Sequence, residues 1–182
     1  FVDRIALKAE SEDISPYVEA FTMDVMSETI MGVSMNCQTS DNGRQYLATV
    51  KLVGKELVKR FIDPLSWSDF IFRRTRRGRD FYNAVEEVHD FSTKIINERK
   101  AELLKNPGKL ESLPQAGESL MQSKKPFLDT LLVEHLTCGS ISTAEIREEV
   151  DTFMAAAHDT TTVTIAWALH FIGYYPEIQR KL

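Results

Sequence analysis

The sequence predicts an all-α fold, and three observations support this prediction. Apolar residues recur every third or fourth position along most of the 182 residues, which is the period of a helix with one buried face. No segment alternates apolar and polar residues as a half-buried strand does. Helix start signals and glycine or proline stop signals bracket the periodic stretches. We therefore expect several helices and no sheet.

The first predicted helix begins at Ser15 and Pro16. Serine is a favoured N-cap, and proline suits the first helical position because an amide hydrogen there would have no helical partner. Gly32 weakens the end of this helix, and the polar run 36–43 terminates it. The predicted buried stripe consists of Val18, Phe21, Val25, Met26, Thr29 and Val33.

Two further helices flank an aromatic and basic connection. The first runs from about residue 44 to residue 61, where Asp63-Pro64 stops it. Residues 65–72 are rich in aromatic side chains and lead into five arginines within residues 73–79. A long helix follows, from about residue 79 to residue 105. The predicted stripes are Leu47, Val50, Val53, Leu57 and Phe61 in the first helix, and Phe81, Val85, Val88, Phe91, Ile95 and Ile96 in the second.

The last third of the chain contains a predicted loop and two helices. Residues 106–126 hold three prolines and two glycines without an apolar period, which predicts a variable loop. A short helix over residues 127–136 is closed by Gly139. Ser142 and Glu145 then form a capping box for a final helix that runs to about Tyr174. Such a helix of about 30 residues is far longer than the usual 11–12 or so.

Charge and composition exclude several classes of protein. A net charge of −5 argues against a general nucleic-acid binder. Cys37, Cys138 and the four histidines lack the spacing of a disulfide framework or a metal site. No apolar run reaches the roughly 18 residues that a membrane span needs, and no signal peptide is present. Because the chain opens at Phe1 within an apolar pattern, we expect it to be an internal piece of a larger protein.

One segment of the final helix breaks the local rules of helix composition. Four threonines and one aspartate lie within residues 159–164, although threonine is a mediocre helix former whose hydroxyl competes for backbone carbonyls. The apolar flanks predict that this part of the helix is buried. Local rules that fail inside a buried element indicate a functional site.

Helical geometry places several of these residues together. Thr152, Ala156 and Thr160 are four residues apart in turn and share one face, with Ala155 beside them. Small residues there let a flat ligand lie against the helix. The Thr160 hydroxyl can donate to the Ala156 carbonyl and bend the helix, and Asp159 supplies an acid beside it for proton transfer. The alternative is that the alanines allow a close helix crossing and the threonines bond internally.

The same segment resembles a known motif. The string Ala156-Ala157-His158-Asp159-Thr160-Thr161 is similar to the central I helix of cytochromes P450, whose pattern is Ala/Gly-Gly-x-Asp/Glu-Thr-Thr/Ser. His158 before the acid, together with the string at 176–179, resembles the fourth, fatty-acid ω-hydroxylase type family. Residues 14–33 resemble its E helix. The resemblance covers the chain from about helix D to the start of helix J.

The resemblance implies a fold and a chemistry. The fold would be an orthogonal multi-helix part of a cytochrome P450 domain, spanning residues 1–182 and built around the long I helix. The protein would be a heme-thiolate monooxygenase in which Asp159 and Thr160 manage protons during dioxygen cleavage. The residues implied to face the heme and substrate are Thr152, Ala155, Ala156, Ala157, Thr160 and Thr161.

This sequence departs from the family pattern at several points. Ala157 stands where the family has its groove glycine. Ala156 stands where many fourth-family members carry a glutamate that is esterified to the heme, so no covalent heme link is expected. The chain has neither the Glu-x-x-Arg pair of the K helix nor the loop with the axial cysteine. No metal ligand is therefore predicted here, and the chain alone is expected to be inactive.

The resemblance also implies partners. They are a lipophilic substrate (a fatty acid, terpenoid or xenobiotic), dioxygen and an NADPH-dependent reductase, with the protein on the cytosolic face of the endoplasmic reticulum and its anchor elsewhere. Aromatic and basic residues at 65–79 suit anionic lipid, although a solvated loop is the alternative. No nucleic-acid partner is expected. The competing function is that of a non-catalytic helical interaction domain.

Overall fold

The computed structural model describes residues 13–105 and 125–182, and these residues form helices without a strand. The predicted all-α class is confirmed. The first twelve residues, and the part of the predicted variable loop at 106–124, lie outside the described residues. The helices are α1 (Ser15–Met26), α2 (Asp41–Ile62), α3 (Asp69–Phe72), α4 (Arg76–Lys105), α5 (Phe127–Thr137), α6 (Thr143–Tyr174) and α7 (Pro176–Gln179).

Helix α1 begins and ends close to the predicted positions. Ser15 is its first residue and not its N-cap, because Ile14 holds the cap position and the Asp13 carboxylate accepts the Ser15 amide hydrogen at 2.9 Å. A π-helical turn at Ser27–Met31 extends the helix to Gly32. Gly32 ends it in the left-handed region, with φ of 72°, where a glycine is favoured.

The stripe predicted for α1 was wrong in part. Val18 is buried, but Val25 is 40% exposed and Thr29 lies at the surface. The buried face instead includes Thr22 and Ser27, whose hydroxyls donate to backbone carbonyls in the preceding turn. Because these hydroxyls are satisfied within the helix, polar residues can be buried at positions outside the predicted stripe.

Helix α2 starts at Asp41, three residues before the prediction. Ser40 caps it, and its hydroxyl accepts the Gly43 amide hydrogen at 3.5 Å. The carboxylate of Asp24 holds the preceding turn by accepting the backbone amides of Cys37 and Gln38 at 2.5 and 3.3 Å. The predicted stripe is buried only at its beginning, since Phe61 at its end is 83% exposed.

The core lies around the first half of α6, which packs against α1, α4 and α5. The predicted capping box is present, with reciprocal hydrogen bonds between Ser142 and Glu145 of 2.8 and 3.2 Å. One face of α6 is buried at every fourth residue. This buried stripe consists of Ile146, Val150, Met154, His158 and Thr162. The opposite side of the helix is exposed from Thr152 onward.

Gly78 allows the start of α4 to pass close to the end of α3. A β-carbon at this position would lie 1.8 Å from the Phe72 carbonyl oxygen, which is backbone and cannot rotate away. We expect Gly78→Ala to destabilise the full-length protein by about 3 kcal/mol through overpacking. Gly54→Ala is the matched control, since a β-carbon there meets no atom within 4 Å. Thermal unfolding should show a lower midpoint for the first variant only, and equal midpoints would contradict the prediction.

Candidate functional site

A groove of about 1320 Å³ lies between the second half of α6, the middle of α2 and the beginning of α1. Helix α2 contributes an apolar wall that includes Val50, Leu57 and Val58. Two lysines of the same helix, Lys51 and Lys55, also line the groove. The residues of α6 that line it include Ala155, Ala156, Asp159, Thr160, Val163 and Trp167. The groove therefore combines an apolar wall with an acid, an alcohol and two cations.

The threonine hydroxyls of α6 bond to their own helix. The predicted bond from the Thr160 hydroxyl to the Ala156 carbonyl is present at 2.8 Å. Thr152 and Thr164 donate in the same way to the carbonyls four residues earlier, at 2.7 and 2.8 Å. The helix remains continuous from Thr143 to Tyr174, so these bonds do not interrupt it. Each hydroxyl hydrogen has an acceptor, and the oxygen lone pairs remain available to a ligand.

The structure brings together four of the residues that the sequence singled out. Ala155, Ala156, Asp159 and Thr160 all line the groove. Thr152 lies on the exposed side of α6, two turns before Thr160, but does not line this groove. The other two are placed differently: Ala157 packs against the hydrophobic core, and Thr161 is half-buried. Contact of any of these seven residues with a cofactor or substrate stays a prediction.

His158 is a packed histidine at the bottom of the groove. Its side chain is 5% exposed, and its Nε2 atom lies 3.2 Å from the backbone carbonyl oxygen of Glu19 in α1. Burial lowers the pKa of His158, against the opposing effects of this hydrogen bond and of the charges on Glu19 and Asp159. Burial therefore favours the neutral form of the imidazole.

Several contacts at the site were not predicted. Thr162 meets Thr22 of α1 with their hydroxyl oxygens 2.5 Å apart. Glu19 also pairs with Lys51 of α2, with its carboxylate 2.6 Å from the lysine nitrogen. The sequence offered one signal for the first contact. His158 and Thr162 continue the four-residue spacing of the buried apolar stripe, so they occupy core positions.

A second polar cluster joins α6 to α4 about two turns before Asp159. Asp151 is within hydrogen-bonding distance of Ser92, and its other carboxylate oxygen lies 3.8 Å from the Nε2 atom of His89. Arg147 Nε is 4.0 Å from that same oxygen. Burial raises the pKa of Asp151, and the Ser92 hydroxyl and the nearby cations oppose that rise. No signal in the sequence distinguished this aspartate from its exposed neighbours.

Several of the arginines within residues 73–79 make local contacts. Arg77 pairs with Glu56 of α2 at 2.8 Å, and Arg76 is the first residue of α4. The guanidinium groups of Arg73 and Arg74 lie over the rings of Tyr82 and Phe70, at 3.9 and 3.6 Å from the ring centres. Large apolar side chains beside them face outward. These exposed side chains are Leu65, Trp67, Phe70 and Ile71.

Neither cysteine of the chain lies at the groove. Cys37 is fully buried, and burial together with the Asp24 charge raises the pKa of its thiol to about 12. Cys138 is exposed after the end of α5. Over the described ranges, 13–105 and 125–182, no cluster of histidine, cysteine and acidic residues is arranged to bind a metal ion. Within those same ranges, no helix has the length and hydropathy required to span a membrane.

Relatives with similar sequences are cytochromes P450 of the fourth family. Cytochrome P450 4d2 of Drosophila melanogaster is 34% identical over 188 residues, which cover 100% of this chain and 37% of the relative. Cytochrome P450 4d10 of Drosophila mettleri is 37% identical, covering 94% of this chain and 33% of the relative. Cytochrome P450 4V2 of Mus musculus is 36% identical, covering 91% and 31%. The chain thus spans about a third of the length of these relatives.

The family comparison covers every residue. The model of the cytochrome P450 family matches residues 1–182. That match includes α6, where the predicted acid and alcohol line a groove beside small residues. The all-helical architecture agrees with the part of the fold that the resemblance implied. The chain belongs to the cytochrome P450 family, and its fourth family is the one that it resembles.

Proposed function

We propose that the whole protein is a heme-dependent monooxygenase that inserts one atom of dioxygen into a lipophilic substrate. In this proposal the chain forms the side of the active site that covers the substrate and handles protons. One observation carries it: Asp159 and Thr160 lie together in a large groove, next to Ala155 and Ala156. An ionisable group and a hydroxyl beside an open, mostly apolar space are what proton delivery to a reacting ligand requires.

The exposed face of α6 fits a flat macrocycle such as heme. Eight residues separate Thr152 from Thr160, which corresponds to about 12 Å along the helix. Over this length the face presents methyl groups and hydroxyls that already donate within the helix. A hydrophobic ring can therefore approach without leaving a hydroxyl hydrogen unpaired. Thr152, Ala155, Ala156 and Thr160 are the residues proposed to lie against it.

The proposed chemistry divides between the cofactor and the chain. Heme, when bound, supplies the iron that activates dioxygen. Asp159 is exposed to the groove and can exchange a proton with solvent, while the oxygen of Thr160 can accept a hydrogen bond. Ala156 has no carboxylate, so this side chain cannot form an ester to the heme. A cysteine thiolate to hold the iron would come from another part of the protein, because neither Cys37 nor Cys138 stands in the cysteine loop that the resemblance implies.

The lining favours a lipophilic substrate. Val50, Leu57, Val58 and Trp167 give the groove its apolar wall. Fatty acids, terpenoids and xenobiotics all offer the hydrocarbon surface that such a wall can cover. An NADPH-dependent reductase is the proposed source of electrons. The cytosolic face of the endoplasmic reticulum is the proposed location.

Spectroscopy of the full-length protein tests this function directly. The reduced protein is exposed to carbon monoxide, and the difference spectrum should show the band of a heme iron with a thiolate ligand. A purified, folded protein without bound heme would overturn the proposal. It would leave the non-catalytic helical interaction domain as the function, in which case substitutions at Asp159 and Thr160 would have no effect on heme or on substrate oxidation.

We also propose that residues 65–79 contact anionic lipid. Trp67 is 64% exposed beside Leu65 and Phe70, and the arginines that follow supply positive charge. Arg77 pairs with Glu56 and is left unchanged in the test. Each arginine replaced by serine at positions 73, 74, 76 and 79 should weaken binding of the full-length protein to phosphatidylserine vesicles about fivefold at low salt. Neutral phosphatidylcholine vesicles are the control, and an unchanged affinity for anionic vesicles would refute the lipid contact.

A further inference from the structure

We propose that His158 and Thr162 are positioning residues which fix the rotation of α6 against α1, so that Asp159 and Thr160 point into the groove. The contacts involved form the α1–α6 seam, defined as Thr22, Thr162, His158 and the backbone carbonyl of Glu19. This inference rests on the proposed function, because it assigns the seam a role in presenting the acid and the alcohol. The geometry of the seam itself does not depend on that function.

The two hydroxyls of the seam can be given donor and acceptor roles. Thr22 and Thr162 are buried, and their oxygens lie 2.5 Å apart. The Thr22 oxygen is also 2.9 Å from the Val18 carbonyl, four residues earlier in α1. A hydroxyl has a single hydrogen. If Thr22 donates it to Val18, Thr162 donates its own hydrogen to Thr22, and both hydrogens are satisfied.

The imidazole of the seam is assigned in the same way. His158 Nε2 lies 3.2 Å from the Glu19 carbonyl oxygen, which can only accept, so Nε2 carries the hydrogen. The same carbonyl lies 3.1 Å from the Thr22 hydroxyl. His158 and Thr162 are one turn apart in α6, and both meet α1 within a single turn. Two directional contacts on one face therefore join the helices over the turn that contains Asp159 and Thr160.

A helix rotates by about 100° per residue, so the position of the seam determines where the neighbouring side chains point. Asp159 and Thr160 lie between the two seam residues in the sequence. If α6 turned about its axis, both groups would leave their places on the groove wall. Burial of apolar residues such as Met154 selects the face of α6 that packs inward, but these contacts carry no directional requirement of their own. Hydrogen bonds lose strength steeply with angle, and separating these would leave polar groups buried without partners.

Glu19 extends the seam to the opposite wall of the groove. Its carboxylate pairs with Lys51 of α2 at 2.6 Å, while its backbone carbonyl accepts from His158 of α6. One residue of α1 therefore contacts both helices that line the groove. Because Lys51 is half-exposed, this ion pair stabilises the arrangement only weakly, and the hydrogen bonds to α1 carry the positioning of α6.

The test uses three threonine variants of the full-length, heme-loaded protein. Thr162→Val removes the hydroxyl at nearly constant volume, and Thr162→Ser keeps it. Thr164→Val is the control for loss of a threonine hydroxyl from α6, because this exposed threonine donates only within the helix and, unlike Thr162, does not line the groove. The ratio of product formed to NADPH consumed should fall about tenfold in Thr162→Val, recover in Thr162→Ser and stay near wild type in the control. A Thr162→Val protein with a normal ratio, well below its unfolding temperature, would overturn the proposal.

Hydrogen–deuterium exchange gives a readout that is independent of turnover. Amides at residues 158–164 should exchange about fivefold or more faster in Thr162→Val than in the Thr164→Val control. The double variant with Thr22→Val should add little to this change, since both substitutions remove the same interhelical hydrogen bond and the bond from Thr22 to Val18 lies within α1. Additive effects of the two substitutions would contradict the seam. A protein that lacks heme and oxidises nothing would refute the proposed function instead, and the exchange data would still test the seam.

His158 is tested separately, because its replacement leaves a larger change in the core. His158→Gln retains a side-chain nitrogen that can donate to the Glu19 carbonyl, whereas His158→Leu removes the donor. We expect the product-to-NADPH ratio to be higher in the glutamine variant than in the leucine variant. Equal ratios in two folded, heme-loaded variants would count against a positioning role for the imidazole.

Discussion

Replacement of Asp159 by asparagine in the full-length protein is expected to lower the rate of product formation about 100-fold. Asparagine has nearly the same size, so it preserves the shape of the groove, but it does not ionise and cannot pass on a proton. Asp159 lies at the groove beside Thr160, and no other acidic residue of α6 lines this groove within the described residues. The measurement is turnover with NADPH and a medium-chain fatty acid as the probe substrate.

Two controls separate proton delivery from a general effect of charge. Glu149→Gln removes an exposed carboxylate of the same helix outside the groove, and its rate should stay close to that of the wild type. Thr160→Ala should lower the product-to-NADPH ratio, whereas Thr164→Ala should leave it unchanged. A rate for Asp159→Asn within a factor of about three of wild type would show that this acid does not deliver a proton needed for product formation.

Replacement of Asp129 by alanine is expected to destabilise the full-length protein by about 3–5 kcal/mol. The Asp129 side chain is 2% exposed, and both of its oxygens accept from Arg99, at 2.6 and 2.7 Å. The variant would leave the guanidinium group of a mostly buried arginine without this partner. Chemical or thermal unfolding of the full-length protein measures the loss.

The ion pair of Asp129 and Arg99 also permits a test of why its disruption destabilises the protein. Asp90→Ala is the control for the loss of a carboxylate, because Asp90 is an exposed residue of α4, and its effect should be within about 0.5 kcal/mol. A double variant, Asp129→Leu with Arg99→Met, removes both charges and should recover much of the lost stability. Arg99 also contacts Glu102 at 2.6 Å. Because Arg99→Met removes this ion pair as well, the double variant should not regain the full stability of the wild type. A double variant less stable than Asp129→Ala would contradict this account.

The helices of this fold could be predicted because their signals are local. The capping box at Ser142 and Glu145 involves residues three apart, and Gly32 and Gly139 both end helices with positive φ. The burial of individual side chains was harder to predict. Thr22 is buried and Phe61 is exposed, the reverse of what their hydrophobicity indicates, because burial depends on partners distant in sequence.

The residues of the candidate site that lie on α6 could be predicted from the sequence. The contacts that α6 makes there with other helices could not. Asp159 and Thr160 could be identified because they break the composition of a helix within a few residues. The contact between Thr22 and Thr162 joins positions 140 residues apart. No periodicity within one helix can indicate which residue of another helix it will meet. The pairing of Glu19 with Lys51 is a surface contact of α1 and α2, and the same limit applies to it.

The two hydrogen bonds of the α1–α6 seam require different groups of α1. His158 bonds to a main-chain carbonyl, and every amino acid supplies that group at position 19. Thr162 bonds to a side chain, so a change at position 22 removes its partner. Among homologous sequences, positions 22 and 162 should therefore vary together, while position 19 should drift independently of position 158. Co-variation is therefore expected for the bond between the two threonines and not for the bond from His158 to the main chain.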